Sequence, residues 1–181
     1  MFNDHQKEEL LRIARQSVED FVLLGSIKDF DIQDEKLKNF QGAFVTLYKN
    51  KSLRGCIGKI VSTDEPLWQV VRDMAIEAAT EDPRFHPVSK DELSEIDYEI
   101  SVLSAPEKIN DWRNIEPGKH GVIVKKGMQS GVFLPQVAIE SGWGLEEFLS
   151  QLCANKAGLS PNCYKDDKEV DLFIFTAEII K

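Results

Sequence analysis

The sequence predicts an α+β fold in which a largely antiparallel sheet is flanked by helices, with a smaller second lobe. The order of elements is mixed: hairpin patterns occur as well as helical ones, and the chain opens with a long amphipathic helix. A length of 181 residues is enough for one sizeable domain or two small lobes. A hydrophobic content of 42% and a charged content of 29% are typical of a globular protein.

Two helices are predicted in the first half of the chain. Residues 3–24 carry an apolar stripe at helical spacing, and Asn3 with Gln6 is expected to form a capping box. The second helix follows residues 62–66, where a proline suits the first turn. Its stripe is expected to be core and consists of Leu67, Val70, Val71, Met74, Ala75 and Ala78.

A third helical pattern begins at Leu145 and places Cys153 on its apolar face, so Cys153 is expected in the core. Cys163 falls in a predicted loop over residues 159–167 and is expected to be partly exposed. The three cysteines are an odd number and form neither a CxxC motif nor a His/Cys metal spacing. A disulfide framework and a structural zinc site are therefore not expected.

The strand patterns are rich in β-branched and aromatic residues. A tail strand closes the chain, with Val170, Leu172 and Ile174 on one face. Composition becomes irregular after residue 104, which predicts one domain over residues 1–181 with a smaller lobe inserted at about 105–138. The predicted strands cover residues 42–49, 53–60, 97–103, 121–125, 131–134 and 169–180.

The first two strands form a predicted hairpin around the stretch LRGCIG at residues 53–58. Strand alternation places Arg54, Cys56 and Gly58 on one face. If the loop has three residues, Thr46 lies opposite Cys56 and Tyr48 lies opposite Arg54.

A cation beside a thiol lowers the pKa of the thiol, and glycines within a strand mark a close approach of backbone or ligand. A ligand site over Cys56, with Arg54, Gly55 and Gly58 as binding residues, is the functional hypothesis. The alternative is that Cys56 is a small apolar filler in the core and that Arg54 simply pairs with an acidic side chain.

Two further segments supply candidate site residues. The loop over residues 81–87 is stiffened by two prolines, and its Asp82 and Arg84 are candidates to line the same site as Cys56. The alternative is that Asp82 caps a turn and Arg84 makes a structural ion pair. Glu99 lies within a strand, where a half-buried carboxylate needs a partner such as Arg54 or Arg84; the alternative is an exposed sheet face.

Charge and motif content exclude several classes of function. A net charge of −9 and a pI near 4.9 argue against non-specific nucleic-acid binding, although a local basic patch stays compatible with it. No apolar run approaches the ~20 residues needed to span a bilayer, and the N-terminus lacks the layout of a signal peptide. A cytoplasmic location and no membrane association are therefore expected. No metal and no cofactor are expected either, and Walker, GxGxxG, HExxH and GxSxG motifs are missing from the sequence.

LRGCIG resembles the hallmark of the AMME-syndrome candidate-region (AMMECR-type) domain family, also called AmmeMemoRadiSam system protein A. Further stretches fit the same family in order and cover nearly the whole chain. They are residues 82–85 (DPRF), 99–104 (EISVLS), 120–121 (HG), 131–138 (GVFLPQVA), Trp143, Phe148-Leu149 and 156–159 (KAGL).

The resemblance implies an association with Memo-type proteins, which look like non-haem-iron dioxygenases, and with radical-SAM proteins. It implies no settled biochemical activity. Among the histidines, only His120 matches the family pattern, which makes it the first candidate base for Cys56. The alternative is that His120 is a structural histidine at the start of a strand. His86 stands where the family more usually has proline.

Three hypotheses follow. The first is a ligand- or partner-binding module that acts through a cleft around the hairpin. The second is an enzyme that modifies RNA or a small metabolite, with Cys56 as nucleophile, Arg54 lowering the thiol pKa or holding an anionic substrate, and His120 or Glu99 as base. The third is a purely structural hairpin.

Overall fold

The computed structural model describes residues 1–181 apart from the side chain of Asp166. It divides the chain into two compact units, Met1–Leu103 with Glu178–Lys181, and Ser104–Ala177. The predicted α+β class with antiparallel sheets is confirmed. Within the described part of the chain, no helix is both long and apolar enough to cross a membrane.

The first unit is a sheet covered on one face by two helices. Its helices are α1 (Asp4–Leu24) and α2 (Leu67–Thr80), and its strands are β1 (Ala43–Lys49), β2 (Ser52–Lys59), β3 (Ile96–Leu103) and β8 (Ala177–Ile180). The strand order is β2-β1-β3-β8. Short 3₁₀ helices lie at Glu35–Lys38 and Lys90–Glu95.

The predicted helix stripes form this core. The capping box of Asn3 and Gln6 is confirmed, since each side chain bonds the backbone N–H of the other residue. The predicted stripe of α2 is buried throughout, because α1 and α2 both pack on the same face of the sheet. That face presents Ala43, Val45 and Leu47 of β1 and Tyr98, Ile100 and Val102 of β3.

The second unit contains a sheet of order β4-β7-β5-β6 and several short helices. Its strands are β4 (Glu107–Ile109), β5 (Gly121–Lys126), β6 (Gln129–Phe133) and β7 (Asp171–Phe175). Its helices are α3 (Pro135–Ser141), α4 (Leu145–Gln151) and α5 (Cys163–Asp166), with a 3₁₀ turn at Trp112–Asn114 and a π turn at Leu152–Lys156. Its core includes Phe133, Phe148, Leu149 and Leu172.

The boundaries of this unit differ from those that the sequence suggested. A lobe was expected at about 105–138, whereas the unit runs from Ser104 to Ala177. The predicted single tail strand is in fact two strands, because the chain leaves one sheet after Phe175 and joins the other at Ala177. An alternating pattern cannot show this change, since it gives each strand's faces and not its pairing partners.

Cys163 is not the exposed, incidental residue that was expected. It is 3% exposed and forms a disulfide with Cys153, which lies ten positions earlier in the chain. The helix pattern correctly placed Cys153 in the core. The pairing depends on the short helix α5, which returns Cys163 to that core and which the sequence pattern did not show.

Thiol counting tests this pairing. We expect one alkylated cysteine per chain, Cys56, when the protein is unfolded in denaturant without reductant, and three when a reductant is added first. Mass spectrometry of the alkylated peptides gives both numbers. Three alkylated cysteines without reductant, under conditions that exclude thiol exchange, would contradict the disulfide.

Candidate functional site

The hairpin of β1 and β2 places Cys56 beside Thr46, as predicted. Thr46 is the cross-strand partner of Cys56, and its Oγ1 lies 3.3 Å from Cys56 Sγ. The expectation for Arg54 was wrong, because Tyr48 pairs with Leu53 and not with Arg54. The turn has two residues, Asn50 and Lys51, both with positive φ, and the register shifts by one residue at a bulge that leaves Arg54 unpaired.

Asp82 holds the outer edge of β2. Its Oδ2 accepts a 2.9 Å hydrogen bond from the backbone N–H of Cys56, and the residue is 4% exposed. The same carboxylate accepts bonds from the Arg84 backbone N–H at 3.1 Å and from Arg84 Nε and Nη2 at 2.9 and 2.7 Å. The Arg84 guanidinium therefore lowers the pKa of the Asp82 carboxyl below its usual range. Asp82 is thus the anchor that ties its loop to the edge strand.

Arg54 bridges β2 to the segment that follows this loop. Its Nε and Nη2 each lie 3.0 Å from a carboxylate oxygen of Glu92, and its Nη1 donates to the carbonyl of His86 at 2.9 Å. Hydrogen bonding to Arg54 lowers the pKa of the Glu92 carboxyl. Glu92 also closes the predicted capping box with Ser89. The sequence identified that box but not the ion pair, because the two partners are 38 positions apart.

Arg54, Phe85 and Arg84 line an open groove of about 500 Å³ together with Pro83 and His86. The guanidinium carbons of Arg54 and Arg84 lie 5.9 and 5.5 Å from the centroid of the Phe85 ring. The Arg84 side chain is 55% exposed, whereas that of Arg54 is 14% exposed. The groove therefore presents an aromatic surface flanked by two cations whose positions are fixed by carboxylates.

The thiol of Cys56 is half-buried, and its surroundings do not make it acidic. Burial raises the pKa of the Cys56 thiol, while the hydrogen bond with Thr46 and the positive charge of Arg84 lower it to a smaller extent. The carboxylates of Asp82 and Glu99 add to the rise. The net direction is upward, so the expectation that Arg54 lowers this pKa is corrected: Arg54 is held by Glu92 instead.

Both glycines of the stretch have packing neighbours. A Cβ on Gly55 would overlap the carbonyl oxygen of Ala78 in α2, and a Cβ on Gly58 would overlap the ring of Phe44. Close approach of β2 to α2 and to Phe44 accounts for the absence of side chains at these two positions. Their assignment to a ligand site stays a prediction.

Glu99 and His120 have partners other than those predicted. Glu99 is 7% exposed, is the cross-strand neighbour of Thr46, and lies 2.7 Å from Lys181 Nζ rather than beside an arginine. His120 belongs to the second unit, where it is 8% exposed and its Nδ1 accepts a 3.1 Å bond from the Glu116 backbone N–H. Their roles as bases stay predictions. Among the side chains that the structure describes, no group of three or more His, Cys, Asp or Glu residues is arranged to hold a metal ion.

The fold and this hairpin define a two-unit α+β protein whose LRGCIG strand is bound by the buried carboxylate of Asp82. A model of the AMMECR1 family matches residues 11–180, and the chain belongs to that family. Protein NEQ441 of Nanoarchaeum equitans is 43% identical over 182 residues, which cover 95% of this chain and 98% of that protein. A protein of Aquifex aeolicus is 39% identical over 178 residues, covering 94% of this chain and 90% of the relative.

A solved structure shows the same fold. The crystal structure of the uncharacterized protein PH0010 from Pyrococcus horikoshii matches with a TM-score of 0.89 and 38% sequence identity. The match covers 98% of this chain and 92% of the other.

The role of Asp82 as anchor is testable by Asp82→Asn. We expect this change to lower the free energy of unfolding at pH 7 by about 1–3 kcal/mol, because a buried hydrogen-bond network loses its charged acceptor. A carboxyl with a lowered folded-state pKa stabilises the protein above its unfolded pKa, and this contribution is lost as pH falls toward the folded pKa. The deficit of the variant should therefore shrink progressively below about pH 4.

Urea unfolding at a series of pH values measures this effect. Asp111→Asn is the matched control, since Asp111 accepts from the backbone and guanidinium of Arg113 in the same spacing but has a 45% exposed side chain. Its effect should stay within about 0.5 kcal/mol at pH 7. Equal effects of the two changes, or an Asp82→Asn deficit that persists at low pH, would contradict the assignment.

Proposed function

We propose that this protein is a ligand- or partner-binding module that works with Memo-type and radical-SAM proteins through the groove beside the LRGCIG hairpin. The observation that carries the proposal is the arrangement of Arg54 on β2 with Phe85 and Arg84 on the loop that Asp82 holds. Arginine and aromatic side chains dominate the binding energy of many interfaces. Their fixed positions lower the entropy cost of association. The partner classes come from the family resemblance.

The alternative is a Cys-dependent enzyme that modifies RNA or a small metabolite with Cys56 as nucleophile. The observation that favours the enzyme is that Thr46 and Arg84 both favour the thiolate form of Cys56. The effect of burial on the thiol pKa outweighs the effects of Thr46 and Arg84. Among the residues described, the hydrogen bond at the sulfur comes from the Thr46 hydroxyl group and not from a general base. These facts support the binding module over the nucleophile.

Binding to purified partners tests the proposal. We expect a Memo-type or radical-SAM protein from the same organism to bind the wild-type chain, and Arg84→Ala to weaken that binding at least about tenfold. Arg113→Ala is the matched control, because Arg113 makes the same kind of local ion pair at an exposed position outside the groove. Titration calorimetry gives both affinities. The proposal fails if neither partner binds, or if the two arginine variants bind equally.

Alkylation of Cys56 decides between the two functions. The apparent pKa of the thiol, read from the pH dependence of alkylation of the folded protein, should lie above the free-thiol value of ~8.5. Arg84→Ala should raise it further, because the positive charge of Arg84 lowers it. An apparent pKa well below the free value would instead identify an activated thiolate and favour the enzyme.

A further inference from the structure

A second pocket lies in the first unit at the start of β3, and it shares none of its lining residues with the groove at Arg54 and Arg84. Its volume is about 560 Å³, within the range of small-molecule sites. We call it the β3 pocket. Its walls are formed by Leu11, Tyr48 and Tyr98, and its charged lining by Arg15, Lys51, Lys181, Asp97 and Glu99.

The charges of the β3 pocket leave two cations available. Lys181 is paired with Glu99 at 2.7 Å. Within the described residues, neither Arg15 nor Lys51 has an ion-pair partner, and Asp97 has none either. Three cations against two carboxylates give the lining a net charge of +1. The pocket therefore complements an anionic group rather than a cationic one.

The hydroxyl of Tyr98 is a second, independent observation that indicates a ligand. Tyr98 is 7% exposed, and its buried hydroxyl has no hydrogen-bond partner in the described structure. Buried hydroxyl groups in native proteins nearly always have one. The guanidinium of Arg15 lies over the Tyr98 ring, with its carbon 5.6 Å from the ring centroid. An anion that draws Arg15 toward itself would uncover this donor.

We propose that the β3 pocket binds a small organic anion with an aromatic body, of the aromatic carboxylate class. The carboxylate pairs with Arg15 and Lys51 and accepts the hydrogen bond of the Tyr98 hydroxyl. The ring packs against Leu11 and the Tyr98 side chain, which lie on the same side of the sheet. This proposal does not depend on the function proposed for the groove at Arg54 and Arg84.

The test is an NMR titration of the ¹⁵N-labelled full chain with benzoate, with neutral benzamide as the isosteric control. We expect saturable shifts centred on the β3 pocket with benzoate, and at least about tenfold weaker binding of benzamide. Arg15→Gln and Tyr98→Phe should each weaken benzoate binding about tenfold. Arg12→Gln should leave it unchanged, because Arg12 lies over the Phe30 ring on the same helix but outside the pocket.

Stability separates a binding role of Tyr98 from a structural one. Tyr98→Phe removes an unsatisfied hydroxyl, so its melting temperature should equal or exceed that of the wild type while its affinity for benzoate falls. The proposal is overturned if benzoate gives no saturable shifts, if benzamide binds equally well, or if Arg15→Gln and Arg12→Gln behave alike. Shifts confined to the groove at Arg54 and Arg84 would also overturn it.

Discussion

The hydrogen bonds of the Asp82 carboxylate are the constraint on which the candidate site depends. One oxygen accepts from the backbone of the edge strand β2, and both accept from Arg84. An edge strand offers unpaired N–H groups to the surroundings, and this carboxylate satisfies the one at Cys56. A buried carboxylate in turn needs charged partners to offset the loss of its hydration. The strand needs an acceptor for its N–H group and the buried carboxylate needs donors, so their hydrogen bond fixes the loop and the strand together.

The groove follows from that constraint. Because Asp82 holds the loop against β2, the Phe85 ring lies close to the guanidinium groups of both Arg54 and Arg84. Glu92 orients Arg54 through two hydrogen bonds and at the same time caps the start of the 3₁₀ helix that precedes β3. Burial raises the pKa of the Cys56 thiol, and the carboxylates of Asp82 and Glu99 add to the rise. The same packing that fixes the side chains of the groove therefore disfavours the thiolate form of Cys56.

Local sequence patterns predicted a large part of this structure. The capping box of α1, the buried stripe of α2 and the pairing of Thr46 with Cys56 all depend on residues close in sequence or on a hairpin. The pairing of Arg54 was missed because the two-residue turn moves the register by one position, and the bulge at Arg54 moves it back before Cys56. The partner of Glu99 was missed for another reason, since Lys181 is 82 positions away and only the sheet order brings them together.

The sequence by itself determined the α+β class, the family, the positions of the main helices and the hairpin that carries Cys56. Apolar periodicity and turn chemistry are local properties, so they can be read from a segment without knowing which other segments pack against it. Tertiary structure alone decided that Cys153 bonds Cys163, that the tail forms strands of two different sheets, and that Arg54 pairs with Glu92. These outcomes depend on which distant segments meet. These tertiary contacts are determined by the packing of the whole core, and the residue spacing within any one segment does not specify them.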